Sequence, residues 1–289
     1  MQTKKVVGVD VGGSHITAGW VDLQEMRLDD SSVVRSDVDS LGSKDQVLDG
    51  WIQVLSRFEL SPSDCIGIAM PAPFDYERGI SLLKEQGKFR SLYGVNVREH
   101  LAKGLGIHSR QIFFSNDAAS FLQGEALFQR FPPNERVIGI TLGTGLGSAY
   151  RFGERAVDAE LWSSPFKAKQ AEDYLGTNWF VKWAMDVSGL SISGPKELVL
   201  TAPELAHRAF TEYGKNLGEF LAKPIREHGI ERVILGGNIT KGRKYFHEPL
   251  LNQLKEKQVN VEINFSQLGE NAVLLGAASN CEYPKGNIS

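Results

Sequence analysis

Two short carboxylates sit where apolar runs break, and both suit phosphate chemistry. In Asp10-Val11-Gly12-Gly13-Ser14-His15, a β-branched run brings Asp10 to the mouth of a turn. The two glycines let backbone N–H groups approach an anion, so the turn can cradle a phosphate while Asp10 holds Mg²⁺ through water. A hairpin turn with a capping aspartate is the plainer alternative. In Asn116-Asp117-Ala118-Ala119, a carboxylate followed by small residues ends another apolar run. It can project into a cleft and take a proton from a hydroxyl attacking phosphorus. The competing reading is a helix N-cap, which aspartate often supplies.

Two more glycine turns could serve a nucleotide. Gly143-Thr144-Gly145-Leu146-Gly147-Ser148 leaves backbone donors open at alternate glycines, and Thr144 and Ser148 add hydroxyls. No lysine follows the last glycine, so this is not a Walker loop. One residue separates its last two glycines, so it is not the dinucleotide fingerprint either. Gly236-Gly237-Asn238-Ile239-Thr240 is bare enough for a flat purine to reach the backbone. Each could equally be a tight turn with no ligand.

Buried strands must deliver these turns. Residues 6–11, 65–70, 112–114, 137–142 and 232–235 are apolar, β-rich runs, each stopped by Gly, Pro or Asn-Asp. Residues 16–21 can return as the second strand of a hairpin. Helical spacing marks 46–58, 118–131, 171–185, 202–228 and 271–280. Strand, Gly-rich turn, strand, then helices and further strands occurs twice. That order implies two related α/β lobes with a cleft between them, where strands end in turns.

The 289 residues are enough for about two domains. A formal net charge of −3 gives no bulk attraction to nucleic acid or an anionic membrane, and neither is expected as a partner. The first apolar stretch is broken by Asp10 and two glycines, so no secretory leader is expected, and no run approaches a membrane span. Two distant cysteines form neither a disulfide framework nor a zinc spacing, which fits a cytoplasmic location. Cys65 reads as a small buried hydrophobe and Cys281 as a tail residue. Trp179 and Trp183, four residues apart, read as a helix face on core, whereas Trp162 could pack in the core or stack on a sugar.

The order Asp-Gly-Gly, Asn-Asp, Gly-Thr-Gly-x-Gly, Gly-Gly resembles the sugar kinase/actin/Hsp70 superfamily, and more closely the ROK family of sugar kinases and sugar-responsive repressors. Gly8-Val9-Asp10-Val11-Gly12-Gly13-Ser14 matches that family's first phosphate loop, and Gly67 through Pro73 its Gly- and Pro-rich strand end. Ser115-Asn116-Asp117-Ala118 matches its catalytic Asn-Asp, Leu142 through Gly147 its second phosphate loop, and Leu235-Gly236-Gly237 its adenosine turn. Leu268-Gly269-Glu270-Asn271-Ala272 with Leu275-Gly276-Ala277-Ala278 matches its C-terminal segment.

The resemblance implies two actin-like, ribonuclease H-like α/β lobes around an interlobe active site. The small lobe would be residues 1–115 with 272–289, and the large lobe 116–271. It implies ATP- and Mg²⁺-dependent phosphorylation of a hexose, most often at the 6-hydroxyl. Asp117 would be the base, and Asn116, Glu160 and Glu172 would bind sugar hydroxyls. Asp10, Gly12, Gly13, Ser14, Thr144, Gly145, Gly147, Gly236 and Gly237 would bind nucleotide and phosphates, with Asp10 ordering the metal. A homodimer is also an expectation, since the family commonly dimerises.

This chain departs from the family around the sugar. The usual Gly-Glu-x-Gly-His is here Ala159-Glu160-Leu161-Trp162-Ser163, and the zinc-binding cysteine cluster has no counterpart in residues 165–170. A zinc-free variant with an altered pocket is therefore expected. An N-acetylhexosamine kinase and a non-catalytic sugar sensor are the alternatives. The family's repressors prepend a DNA-binding helix-turn-helix, for which Asp10 arrives too early. An acetate kinase-like or Hsp70-like ATPase would leave Asn116-Asp117 unexplained.

Overall fold

The computed structural model describes residues 5–84 and 87–282. The chain divides into two compact units, one running to Phe131 and resuming at Glu270, the other Pro132–Gly269.

The first unit opens with β1 (Val6–Val11) and β2 (His15–Asp22), an antiparallel hairpin edged by β3 (Arg27–Leu28) and β4 (Val34–Asp37). Helix α1 (Lys44–Leu55) starts at a capping box in which Ser43 and Gln46 satisfy each other's backbone donors. Strand β5 (Cys65–Met70) follows, then the small β6 (Phe74–Asp75) and β7 (Ile80–Ser81) hairpin and α2 (Val97–Leu105). Strand β8 (Ile112–Asn116) runs directly into α3 (Asp117–Phe128). The sheet order is β3-β2-β1-β5-β8, with β4 also on β2 and with β1, β5 and β8 parallel.

In the second unit β9 (Val137–Leu142), β10 (Leu146–Arg151) and β11 (Ala156–Asp158) form an antiparallel meander. A small hairpin of β12 (Pro165–Phe166) and β13 (Lys169–Gln170) precedes α4 (Glu172–Leu175), α5 (Thr177–Ser188), α6 (Pro195–Thr201) and α7 (Pro203–His228). Strand β14 (Arg232–Gly236), α8 (Arg243–Glu256) and β15 (Glu262–Phe265) complete it, with sheet order β11-β10-β9-β14-β15. Both sheets thus combine an antiparallel hairpin with parallel strands, the repeated α/β plan expected from the sequence. The chain then returns to the first unit as α9 (Asn271–Ser279).

Strand alternation explains the first core. Val7, Val9, Ile66 and Ile68 point to one face and pack with Leu48 and Trp51 of α1 and Leu101 of α2. Each such fully buried side chain contributes roughly 1.5–3 kcal/mol. Gly8 and Gly67 point to the other face, where a Cβ would run into the carbonyls of Leu274 and Ala277. The backbone of α9 therefore lies directly on the sheet. On its other flank, a Cβ at Gly276 would overlap the Ser120 carbonyl and one at Gly124 that of Ala272, so α3 and α9 pack backbone to backbone.

This packing corrects two expectations. Helix α3 belongs with the first unit, so the first break falls after residue 131 rather than at 115. Cys281 is not a loose tail residue but 3% exposed at the end of α9. In the second unit the stretch 171–185 is two helices, because Gly176 is extended and its N–H closes α4 on the Glu172 carbonyl. Helices α2, α6 and α8 and strand β15 had no counterpart in the sequence reading. The second core gathers Ile138, Ile140 and Leu142 against Phe180, Phe210 and Tyr213. Trp179 joins it, as expected, and Trp183 packs at its margin.

Candidate active-site residues

Strand register assembles the first group. In the parallel set, Asp10 pairs with Ala69, Ala69 with Ser115, and Met70 with Asn116. The Gly12-Gly13 turn, the Pro71–Pro73 segment and Asn116-Asp117 therefore leave the same edge of one sheet. Gly12 N–H closes the turn on the His15 carbonyl at 2.8 Å. The Ser14 hydroxyl lies 2.8 Å from His15 Nδ1, and His15 Nε2 lies 3.0 Å from Asp37. The Ser14 hydroxyl is thus partnered within the turn.

The capping question at Asn116-Asp117 resolves in favour of the first residue. Asn116 Oδ1 accepts from the Ala119 N–H at 3.0 Å, and its Nδ2 donates to the Tyr76 hydroxyl at 3.3 Å. Tyr76 in turn donates to the Met70 carbonyl. With the cap filled by Asn116, the carboxylate of Asp117 is left at the first helical position, where it accepts from the Ala118 N–H at 2.8 Å. Asn116 is buried, and Tyr76 is a partner that no sequence motif announced.

Charges are crowded here. Burial raises Asp10, with repulsion from Asp117 and Glu270 adding to it, and Arg35 and Lys88 oppose the rise; the result is about 7. Burial likewise raises Asp117, against the attraction of Lys88 and the Ala118 N–H. A raised carboxylate is a stronger base than an ordinary one, which suits proton abstraction near neutral pH. Lys88 was not singled out from sequence. It belongs to no glycine motif, and only folding brings it to Gly13.

The second group stands on the other sheet. Strands β9 and β14 are parallel, and Gly236 pairs with Thr141, so the turns after Leu142 and Gly236 emerge side by side. Gly237 has φ +86°, and a Cβ there would overlap the Leu142 carbonyl, so a side chain is excluded on two counts. The turn 143–145 is pinned from α4 and α5. Thr177 donates to the Gly143 carbonyl through both its N–H and its hydroxyl, and Glu172 accepts from the Leu146 N–H at 2.9 Å. A Cβ on Gly145 would overlap the Glu172 carboxylate. Glu172 is therefore a strut of this turn. Thr144 is exposed at its tip, and Gly147 lies within β10.

Glu160 is held by other contacts than those of Glu172. It is exposed, with φ +51°, and its N–H donates to Asp158 at 2.9 Å. Next to it the Leu161 N–H donates to the Ser148 hydroxyl at 3.0 Å, and the Ser163 hydroxyl donates to the Glu160 carbonyl. Trp162 is 41% exposed, which removes it from the core. The β12–β13 hairpin is fastened by Lys167. Its Nζ donates to the buried Asn216 Oδ1 at 2.5 Å, stands 3.7 Å from Glu219, and lies over the rings of Phe166 and Tyr174. Among the described residues no group of three His, Cys, Asp or Glu side chains could hold a metal ion, and no helix is long and apolar enough to cross a membrane.

The model of the ROK family matches residues 6–158. A glucokinase of Thermotoga maritima is 25% identical over 320 residues, covering 96% of this chain and 98% of the relative. A ROK family glucokinase from Streptomyces griseus, solved with glucose and AMPPNP, superposes with a TM-score of 0.75 at 20% identity, covering 95% of this chain and 98% of that one. A candidate N-acetylmannosamine kinase from Listeria monocytogenes gives a TM-score of 0.80 at 18% identity, covering 98% and 100%.

Proposed function

The chain belongs to the ROK family and carries its sugar-kinase fold, and on that premise we propose that it phosphorylates the 6-hydroxyl of an unsubstituted hexose with ATP. The observation that carries this reading is the register of Asp10, Asn116 and Asp117 at one sheet edge beside the Gly12-Gly13 turn. It combines a base, an anion cradle and a second carboxylate, the minimum that phosphoryl transfer to an alcohol requires.

In this reading Asp117 orients the sugar hydroxyl and takes its proton. Asn116, fixed by its cap and by Tyr76, keeps one Nδ2 hydrogen for a sugar hydroxyl. Glu160 and Glu172 bind further hydroxyls; Glu172 can do so only with the oxygen lone pairs that Leu146 leaves over. The open backbone donors of Gly13 and Gly145 receive phosphate oxygens, with Gly12, Ser14, Thr144 and Gly147 beside them, and the bare Gly236-Gly237 turn receives the adenine.

Asp10 suits Mg²⁺: it gains no hydrogen bond among the described residues, and neighbouring carboxylates repel its charge. When bound, the ion would neutralise charge on the phosphates.

The exposed Trp162 and Ser163 replace a glycine and a histidine, so one wall beside Glu160 is bulkier and less basic than in typical relatives. That favours glucose over N-acetylated sugars. A coupled ADP-release assay with glucose, mannose, fructose, N-acetylglucosamine and N-acetylmannosamine under saturating MgATP tests it. Glucose should give the highest kcat/KM. An N-acetylhexosamine ahead by tenfold, about 1.4 kcal/mol of transition-state binding, overturns the substrate and leaves the kinase. Tight sugar binding without turnover would mark a sensor.

A further inference from the structure

Lys88 is a cation placed where the Gly12-Gly13 turn and the two acidic strand ends converge. Its neighbour Phe89 anchors it: the Phe89 ring is fully buried, packs edge-on to Trp51 at 5.3 Å between centroids, and its N–H donates to the Ser40 carbonyl at 2.6 Å. Phe89 also holds φ +53°, a left-handed conformation that costs energy in a non-glycine residue and persists only where packing fixes it. From this anchor the Lys88 side chain crosses the glycine turn, and a Cβ built on Gly13 would stand 3.2 Å from Lys88 Cδ. A larger residue at position 13 would therefore push the lysine aside.

The ammonium group is not spent on structure. Among the described residues Lys88 makes no hydrogen bond and no ion pair within 4.0 Å, yet its charge is felt at both Asp10 and Asp117. A partly exposed cation above a turn of open N–H donors, within electrostatic reach of the proposed base, lies where an anionic group would pass between an attacking hydroxyl and a leaving nucleotide.

We propose that Lys88 is a catalytic residue whose ammonium binds the terminal, transferred phosphoryl group of the nucleotide over the Gly12-Gly13 turn. This rests on the kinase reading above. It adds a phosphate-binding lysine to a chain whose glycine turns, unlike a Walker loop, carry none of their own.

The test compares Lys88→Met and Lys88→Arg with the wild-type chain, by calorimetric titration with MgAMPPNP and with MgADP and by steady-state kinetics with the best sugar. Lys88→Met should weaken MgAMPPNP at least about tenfold and leave MgADP, which lacks the terminal phosphate, unchanged. Its kcat should fall about 10²-fold, with the sugar KM and thermal melting unmoved. Lys88→Arg keeps the charge and should restore most of the MgAMPPNP affinity. Equal loss of MgADP and MgAMPPNP, or no loss of either, overturns the proposal. A lowered melting temperature that arginine does not rescue also overturns it, in favour of a packing role. If the wild-type chain phosphorylates no sugar, the kinase reading fails, and the comparison of the two nucleotides still decides where the lysine points.

Discussion

Replacing Asp10 with asparagine should stabilise the protein while removing its activity. The carboxylate is forced upward from the ordinary 3.8 to about 7 by burial and by Asp117 and Glu270. Below 3.8 both folded and unfolded chains hold the proton, and nothing is lost. Between 3.8 and about 7 the unfolded chain ionises first, so stability falls as pH rises, at 1.36 kcal/mol per pH unit. Above 7 the loss is complete. A rise of about 3.2 pH units bounds it at ~4 kcal/mol, and water penetration around a partly exposed group brings a realistic figure nearer ~1–2 kcal/mol. Asp10→Asn escapes that penalty at nearly the same volume. In chelator-containing buffer its melting temperature should exceed the wild type's by about 2–8 °C at pH 8, at roughly 2–4 °C per kcal/mol, and match it near pH 4. Added Mg²⁺ should raise the wild type's melting temperature and leave the variant's alone. An advantage that does not change with pH, or a variant less stable at pH 8, would refute the reasoning.

Asp117→Asn preserves size and removes the base, so turnover should fall by at least about 10²-fold with sugar binding retained in calorimetry; near wild-type turnover rules Asp117 out. Gly276→Ala forces a methyl into the Ser120 carbonyl between α3 and α9. Since neither backbone can give way, denaturant unfolding should show a loss of at least about 2 kcal/mol, and a neutral outcome would deny that close approach. Lys167→Met strips the buried Asn216 Oδ1 of its donor, which should cost about 1–3 kcal/mol and loosen the β12–β13 hairpin in hydrogen exchange. Elemental analysis of protein purified without added metal should find well under one zinc per chain, and a stoichiometric zinc whose removal unfolds the protein would contradict the zinc-free reading.

Much of the plan was legible because strands and turns are local. The runs 6–11, 65–70, 112–114, 137–142 and 232–235 are apolar and β-rich, and the Gly, Pro or Asn-Asp that follows each stops it within about two residues of the observed end. Helices α2 and α8 escaped because they are short or mixed in polarity, and a one-face pattern is faint in such stretches. The boundary near residue 131 escaped for another reason: α3 could belong to either unit until α9 returned to pack on it.

The sequence by itself determined which strands would carry glycine turns and acidic ends, and in what order, since those properties depend on the residue and its immediate neighbours. Three matters were decided only by the tertiary structure. Asn116, which caps α3 through the nearby Ala119 N–H, is also held by the Tyr76 hydroxyl from 40 residues earlier in the chain, and the Asp117 carboxylate is left at the first helical position. Glu172, read as a sugar ligand, also braces a loop 26 residues earlier in the chain. Lys88 comes to Gly13 across 75 residues. Each depends on distances between residues far apart in the chain, and those distances are fixed by how strands pair and helices pack on them, which no local pattern of residue types encodes.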